Sequence, residues 1–240
     1  NGSIVGVDDQ LGSLADSAAH VIDAGGATVT PGFNDIHAHS VMFGESMIEI
    51  DLADCVTAEQ VYEALGSWCS GDSESGIGDW AIASHYRPLQ MTGEDLRIDV
   101  LDRVTGGRPL VIKHNSAHAY TANSEALRRA GIALTDPEQS DGGVIGTDDH
   151  GNVTGLLDEN AMRPLQALIQ PEPQALLQEA LNQATSHYVS EGLTSVTDAG
   201  IAGGWIGHSP REFAAYQAAR DLGLLSTRMQ TMITIDALHE

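Results

Sequence analysis

Apolar positions along the chain switch repeatedly between the spacing of a helix and that of a strand. In residues 173–191, Leu177, Leu181 and Tyr188 recur at helical spacing, which predicts one long helix that ends at Gly192. The same spacing predicts shorter helices over residues 57–68, 96–104, 124–130 and 210–222.

Short apolar runs bounded by turn residues predict the strands. They cover residues 33–40, 80–84, 109–113, 194–198 and 228–233. Two further β-type runs, on either side of the turn residues Asp149, His150 and Gly151, predict a hairpin. Because strands and helices otherwise alternate, the pattern favours a parallel sheet, either open or closed into a barrel.

The first 30 residues have a different pattern from the rest. Short β-type runs, SIVGV and HVIDA among them, alternate with polar turns, and Gly25 and Gly26 separate two of them. This pattern predicts strands of a small sheet. It changes after Pro31, so we predict one domain over residues 1–30 and a second over residues 31–240.

The chain of 240 residues is strongly acidic. It has 34 Asp and Glu against 11 Lys and Arg, a formal charge of −23, and Lys113 is its only lysine. A surface of this charge repels nucleic acid and suits a protein kept soluble at high ionic strength, where salt screens self-repulsion. We predict a halophilic protein with no nucleic-acid partner. An ordinary acidic enzyme is the alternative.

Cysteine usage and hydropathy predict a cytoplasmic protein. Cys55 and Cys69 show no CxxC spacing, so we expect free thiols rather than a disulfide framework or a zinc finger. No apolar run reaches the ~20 residues that a membrane span needs, and the first residues lack the pattern of a signal peptide. We therefore expect no membrane partner.

His37 and His39 are the first residues that indicate chemistry. They lie two positions apart at the end of a predicted strand, so both imidazoles project to one side and can share a metal ion. Histidine is the commonest metal ligand, and a rigid strand lowers the cost of ordering a pair. Two histidines on a solvent-facing strand would have the same spacing, so the pair alone leaves both interpretations open.

The residues around this pair resemble a known family. The run VTPGFNDIHAHS resembles the signature of the amidohydrolase superfamily, in which an apolar strand after Pro-Gly ends in Asp-x-His-x-His. The runs HNSAHAYTANSEALRRAGI, GGVIGTDDHGNVTGLLDENAM and GLTSVTDAG resemble, in order, the motifs of its YtcJ-like branch, amidohydrolase family 3.

This resemblance implies a fold and a cofactor. The fold is α/β: the first part of a (β/α)8 TIM-type barrel, preceded by strands of a small β-sandwich. His37 and His39 are implied to bind a catalytic divalent metal at the C-terminal mouth of the barrel. Zinc, as one or two ions, is the choice that the family suggests.

Matched residue by residue, the resemblance assigns three further roles. Glu159 is expected as a metal-facing carboxylate, since two-metal sites need an anionic bridge; a solvated charge at a helix start is the alternative. Lys113 is the runner-up for the bridge. His118 is expected as the catalytic and substrate-binding residue that polarises the reacting oxygen. Asn123 is expected to bind substrate or, equally, to cap its helix.

Other polar residues match less well. His114 lies near the same strand end as Lys113. Asp198 is preceded by Thr197, whereas many relatives carry a histidine at that position, and this departure argues against a metal role for Asp198. His85 is left open. The remaining histidines outside these motifs are expected to be structural or at the surface, namely His20, His150 and His187.

Together these features predict a metal-dependent hydrolase that cleaves C–N bonds of non-peptide amides in small-molecule substrates with a metal-activated water. The resemblance also implies homo-oligomers, and it places further metal-site histidines and a catalytic aspartate on later strands that this sequence does not contain. A truncated, non-catalytic fragment or interaction module is therefore the alternative. Related barrels also open lactones or cleave phosphoesters by the same chemistry.

Overall fold

The computed structural model divides the chain into two compact units. The first comprises residues 1–32 and the second residues 33–240. Structure is described for residues 4, 6–7, 18–71, 77–203 and 209–234.

The first unit has little regular structure in the residues that can be described. Residues 18–32 contain a turn at Gly25 and Gly26 and no strand, and their side chains are exposed. A strand is stable only when a neighbouring strand pairs with its backbone N–H and C=O groups. The strands predicted over residues 18–30 are thus absent from the structure, and SIVGV lies partly outside the described residues. The β-sandwich domain stays a prediction.

The strands of the second unit form two sheets. Three parallel strands have the order β1-β8-β9, with β1 at Phe33–Ala38, β8 at Leu193–Ile201 and β9 at Arg228–Ile233. Six strands have the order β2-β3-β4-β5-β7-β6. Their bounds are Ile50–Asp51 (β2), Ala81–Tyr86 (β3), Leu110–His114 (β4), Ala119–Ala122 (β5), Gly143–Thr147 (β6) and Val153–Glu159 (β7).

The helices connect and cover these sheets. Their bounds are Ser40–Ser46 (α1), Ala58–Ser70 (α2), Ile98–Val104 (α3), Ser124–Arg129 (α4), Arg163–Ile169 (α5), Gln174–Ser190 (α6) and Arg211–Asp221 (α7). Short 3₁₀ turns occur at Pro88–Gln90 and Asn160–Met162. Within the described ranges, no helix combines the length and apolar character needed to cross a membrane.

Strands β3 and β4 form the core of the larger sheet because both of their faces are buried. Alternate residues pack on opposite sides: Ala83 and Ile112 lie in a cluster with Leu65 of α2, whereas Ile82 and Val111 lie in a cluster with residues of α4 and α5. Burying an aliphatic side chain of this size contributes about 1.5–3 kcal/mol. Both strands run in the same direction, so their carboxyl ends lie at one edge of the sheet.

The helices and strands predicted in the second unit are confirmed, with small shifts at their ends. Thr57 and Gln60 form a capping box at the start of α2, and Asn123 caps α4. Helix α6 ends before Gly192, whose φ of +84° favours glycine. Strands β6 and β7 form the predicted hairpin, and β9 has the predicted bounds.

The predicted step from β4 directly to helix α4 is wrong, because strand β5 lies between them. Strands β2, β3 and β4 are parallel, but β5, β7 and β6 pair antiparallel. Strand β5 has only four residues and pairs antiparallel with β4, which directly precedes it. Four residues are too few for a strand pattern to be recognised in the sequence. Consequently His118 and Asn123 lie at opposite ends of β5 rather than on one connecting loop.

Helix α1, which the sequence pattern did not predict, depends on a close approach to α6. A Cβ atom on Gly44 would lie 1.9 Å from the backbone oxygen of Ala180. At the start of α1, the backbone N–H of Ser40 donates to Asp198 Oδ2 over 2.7 Å. These two contacts fix the segment that directly follows β1.

We expect Gly44→Ala to lower the free energy of unfolding by about 3 kcal/mol, since the added methyl group meets rigid backbone and forces α1 off α6. Gly66→Ala is the matched control in α2. Its Cβ would find its nearest neighbour at 3.8 Å, so this helical substitution should raise stability by about 0.5–1 kcal/mol. Urea unfolding measures both, and equal effects would contradict the packing described.

Candidate active site

A cavity of about 310 Å³ lies where the end of β1 meets the ends of β3 and β4. His39 follows β1, Phe43 is on α1, His85 is on β3, and Lys113 and His114 are on β4. The carboxyl ends of parallel strands are where α/β folds place their reactive groups. The cavity is therefore the candidate active site.

His37 and His39 lie next to each other at this position. Their ring centroids are 5.3 Å apart with the rings nearly perpendicular. His37 is exposed and His39 half-buried. His39 Nδ1 is shielded from solvent and has no hydrogen-bond partner in the described part of the chain. Because a buried imidazole nitrogen without a partner costs free energy, this atom suits a metal ligand, and the pair fits a divalent cation.

A buried ion cluster forms one wall of the cavity. Lys113 Nζ lies 2.5 Å from Glu49 Oε1 and 3.3 Å from Glu45 Oε2, and Ser84 Oγ donates to Glu49 Oε2. The Lys113 side chain is 23% exposed and that of Glu45 3%. Burial alone would lower the pKa of the ammonium, but the carboxylates of Glu49 and Glu45 reverse this and raise it well above its ordinary value.

This cluster makes the runner-up role of Lys113 unfavourable. A lysine that bridges two metal ions must first be modified, and only its neutral amine reacts. Here two carboxylates stabilise the charged form of Lys113 instead. Neither glutamate was singled out from the sequence, because α1 was not predicted. Both lie within ten residues of the metal motif, Glu45 on α1 and Glu49 in the turn that follows it, and this closeness was the available signal.

His114 is buried in the same wall. Its Nε2 lies 2.8 Å from Thr121 Oγ1, and its ring makes an edge contact with Tyr86, with the centroids 5.1 Å apart. Burial lowers the pKa of the imidazole to about 4. His114 lines the cavity. Because of its low pKa, its imidazole is neutral at pH 7.

His118 and Glu159 form a pair outside the cavity wall. His118 Nδ1 lies 3.0 Å from Glu159 Oε1, and the backbone N–H of Glu159 donates to the His118 oxygen over 2.9 Å. Both side chains are 57% exposed. Glu159 ends β7 with a φ of +51°, a conformation that is strained for a residue with a Cβ. The carboxylate orients the imidazole, as carboxylates do for functional histidines.

The three residues predicted to hold the metal are not gathered in one cluster. Across the residues that the structure describes, no group of three or more His, Cys, Asp or Glu side chains is placed to hold a metal ion. His37 lies in β1 of the smaller sheet and His39 directly follows this strand, whereas Glu159 ends β7 in the larger sheet. The set of His37, His39 and Glu159 stays a prediction.

Comparison with known proteins decides the family. The model of the amidohydrolase family matches residues 20–239. This chain belongs to the amidohydrolase family.

Relatives of this family member are longer than the chain. It is 33% identical over 174 residues to YtcJ of Bacillus subtilis, which is named as an amidohydrolase, covering 72% of this chain and 32% of YtcJ. It is 30% identical over 207 residues to the N-substituted formamide deformylase of Arthrobacter pascens, covering 82% of this chain and 37% of the deformylase. The chain thus spans about a third of the length of these curated relatives.

The fold also matches a solved structure. The crystal structure of an uncharacterized metal-dependent hydrolase from Pyrococcus horikoshii superposes with a TM-score of 0.63 at 18% identity, covering 87% of this chain and 38% of that one. At this identity the likeness concerns the fold alone.

In this member of the family, Asn123 is fully buried and every polar atom of its side chain makes a hydrogen bond. Oδ1 accepts from the backbone N–H groups of Ala126 and Leu110, both at 3.0 Å. Nδ2 donates to Thr105 Oγ1 at 3.0 Å and to the Arg108 oxygen at 2.9 Å. These contacts favour the capping interpretation, because they leave no donor or acceptor for a substrate.

Asp198 lies inside β8 rather than at its end, beside Ala38 of β1. It is 2% exposed. Its Oδ2 accepts from the backbone N–H of Ser40 at 2.7 Å and from the hydroxyl of Tyr216 at 2.5 Å. A buried carboxylate needs such donors, and here they hold α1 against the smaller sheet.

None of the remaining histidines or the two cysteines is among the described residues that line the cavity. His150 is in the hairpin turn, and His187 on α6 pairs with Glu191 at 3.2 Å. His20 belongs to the first unit. Cys55 and Cys69 are free, as predicted.

Folding stability should depend on pH through His114. The unfolded chain binds its proton near pH 6.5 but the folded chain only near pH 4, so stability is full above pH 6.5 and falls as the pH drops toward 4. This loss should be about 3 kcal/mol in the wild type and absent from His114→Gln. Urea unfolding between pH 7.5 and 4 measures it. His150→Gln should keep the wild-type slope.

Replacing Lys113 should be costly because it leaves two largely buried carboxylates, those of Glu45 and Glu49, without a positive charge beside them. We expect Lys113→Met to lower the free energy of unfolding by about 3 kcal/mol, with partial recovery on adding Glu49→Gln. Arg220→Met, which removes an exposed pair with Asp221, is the control and should change stability by less than about 0.5 kcal/mol. A loss no larger than that of the control would refute the buried cluster.

Proposed function

We propose that this chain is the N-terminal part of a metal-dependent hydrolase that cleaves the C–N bond of non-peptide amides in small-molecule substrates. The observation that carries the proposal is the pair of His37 and His39, in which a shielded His39 Nδ1 has no hydrogen-bond partner in the described structure and His39 lines the cavity. The relative named N-substituted formamide deformylase supports the bond class.

The proposed cofactor is one or two divalent ions, with zinc the family-based choice. His37 and His39 would hold it, and Glu159 is the third ligand proposed from the family motif. When bound, such an ion lowers the pKa of a water molecule and polarises the scissile carbonyl group. The structure also offers Glu159 a second role, since its Oε1 contacts His118 at 3.0 Å.

The chain's own residues define how a substrate would be held. We propose His118 as the substrate-contacting residue near the reacting oxygen, with its ring orientation fixed by Glu159. Phe43, Met42 and Ala117 give the cavity an apolar wall. The buried carboxylates of Glu45 and Glu49 outnumber the Lys113 ammonium, so the wall disfavours anionic substrates.

The wider proposals follow from the sequence. We propose that β1, β3, β4 and β8 are strands of a (β/α)8 barrel that the rest of a longer protein completes, which the likeness to a metal-dependent hydrolase supports. Salt adaptation is proposed from the net charge of −23. Self-association and a cytoplasmic location stay predictions.

We expect the chain, purified in concentrated KCl, to retain near-stoichiometric metal that the variant carrying both His37→Ala and His39→Ala loses. Plasma mass spectrometry gives the metal content per chain. His150→Ala is the matched control, since only the backbone of His150 makes a described hydrogen bond, and it should keep the metal.

Two results would count against the proposal. Equal metal content in wild type and double variant would refute the histidine pair as ligands. In a full-length protein that contains this chain, hydrolysis of an N-substituted formamide that is unchanged by His37→Ala would refute the metal-dependent reaction.

A further inference from the structure

A second histidine, outside the metal motif, is held at the rim of the cavity by a carboxylate. His85 Nδ1 lies 2.8 Å from Asp51 Oδ1. The same oxygen of Asp51 accepts the backbone N–H of Ala53 over 2.9 Å. The His85 side chain is 31% exposed and that of Asp51 64%. His85 lines the cavity, together with His39.

The backbone is distorted so that His85 can face the cavity. Successive residues of a strand point to opposite sides, yet Ser84 and His85 both line the cavity. The pairing of β3 with β4 shifts register between Ala83 and Tyr86, and His85 has a φ of +65°. A bulge of this kind re-aims a side chain, and a left-handed residue with a Cβ is strained. Strain of this kind concentrates at functional sites.

The contact with Asp51 determines which ring nitrogen of His85 carries the proton. Burial raises the pKa of Asp51, but hydrogen bonds from Ala53 and His85 outweigh it, and the net pKa is lowered. An ionised carboxylate can only accept hydrogen bonds, so Nδ1 of the neutral imidazole must be the donor. Nε2 is then an acceptor. It makes no hydrogen bond within the described part of the chain.

Three polar neighbours of His85 around the cavity already have hydrogen-bond partners. Lys113 contacts Glu49 and Glu45, and Ser84 donates to Glu49. His114 Nε2 is 2.8 Å from Thr121 Oγ1. Against this background, His85 Nε2 is an acceptor open to a ligand, next to a wall that includes Phe43 and Met42.

We propose that His85, positioned by Asp51, accepts the N–H of a secondary amide substrate and thereby selects secondary over tertiary amides. This inference rests on the proposed function and specifies its substrate class. A secondary amide carries its N–H and its N-substituent on the same atom. A hydrogen bond to His85 therefore directs the substituent toward the apolar wall. A tertiary amide has no N–H and leaves Nε2 without a donor.

Binding of two probes tests the selection without any turnover. Calorimetric titration of the 240-residue chain should show N-butylformamide binding about tenfold more tightly than N-butyl-N-methylformamide, the effect of one hydrogen bond. His85→Gly should abolish this preference and remain folded, because glycine adopts a φ of +65° without strain. His85→Asn, which also tolerates this φ, is the second variant, and His150→Ala should keep the preference.

The positioning role of Asp51 has its own spectroscopic signature. Long-range ¹H–¹⁵N correlation spectra should show His85 protonated at Nδ1 in the wild type, and Asp51→Ala should remove that tautomer and reduce the preference toward that of His85→Gly. A purely structural Asp51 would leave the tautomer unchanged.

The outcomes separate this inference from the proposed function. A preference that survives in both His85→Gly and His85→Asn, or failure of the wild type to bind either formamide, overturns the inference even if metal is retained and the full-length protein hydrolyses amides. If instead the preference depends on His85 while metal retention and hydrolysis fail, the amide-binding role stands and the proposed reaction falls.

Discussion

The buried contact of Lys113 with Glu45 and Glu49 joins the two halves of the candidate site. Glu45 lies on α1, which follows directly from the metal motif, while Lys113 and Ser84 lie on the central strands of the larger sheet. Moving charges out of water costs several kcal/mol per ion, so such a cluster is tolerated only when every member keeps its partner. The position of His39 relative to β3 and β4 therefore depends on this contact.

Helix α1 also makes close contacts on the side that faces α6. Gly44 allows the backbone of α6 to approach, and Asp198 binds the first N–H of the helix. The carboxylate of Asp198 also accepts from Tyr216 on α7. The segment after β1 is thus fixed by packing, by a buried carboxylate and by an ion cluster. Such multiple support suits a segment that presents the proposed metal ligands.

Part of the backbone strain in the second unit lies at the candidate site. His85 and Ala117 line the cavity with φ values of +65° and +62°, and Glu159 has +51° beside His118. Each such residue costs of order 1–3 kcal/mol. The surrounding sheet, whose central strands are buried on both faces, supplies the stability that keeps them in place. The side chains at these positions are aimed by the fold rather than by local preference.

The sequence by itself determined the family, most of the helices and strands, and the position of the histidine motif. Amphipathic spacing and end signals identified α2 and α6, and the hairpin turn identified β6 and β7, because these signals act within a few residues. His37 and His39 share a strand end, so their closeness also followed from local geometry.

Only the tertiary structure decided which polar residues face the cavity. Asn123 and Asp198 stood in motifs that suggested chemistry, yet both are buried and occupied by structural hydrogen bonds. Lys113 and its two glutamates are 64 and 68 residues apart in sequence, and the contact between them exists only once α1 packs beside β4. Long-range packing and buried charge pairing have no local sequence pattern, which is why these residues required the folded chain.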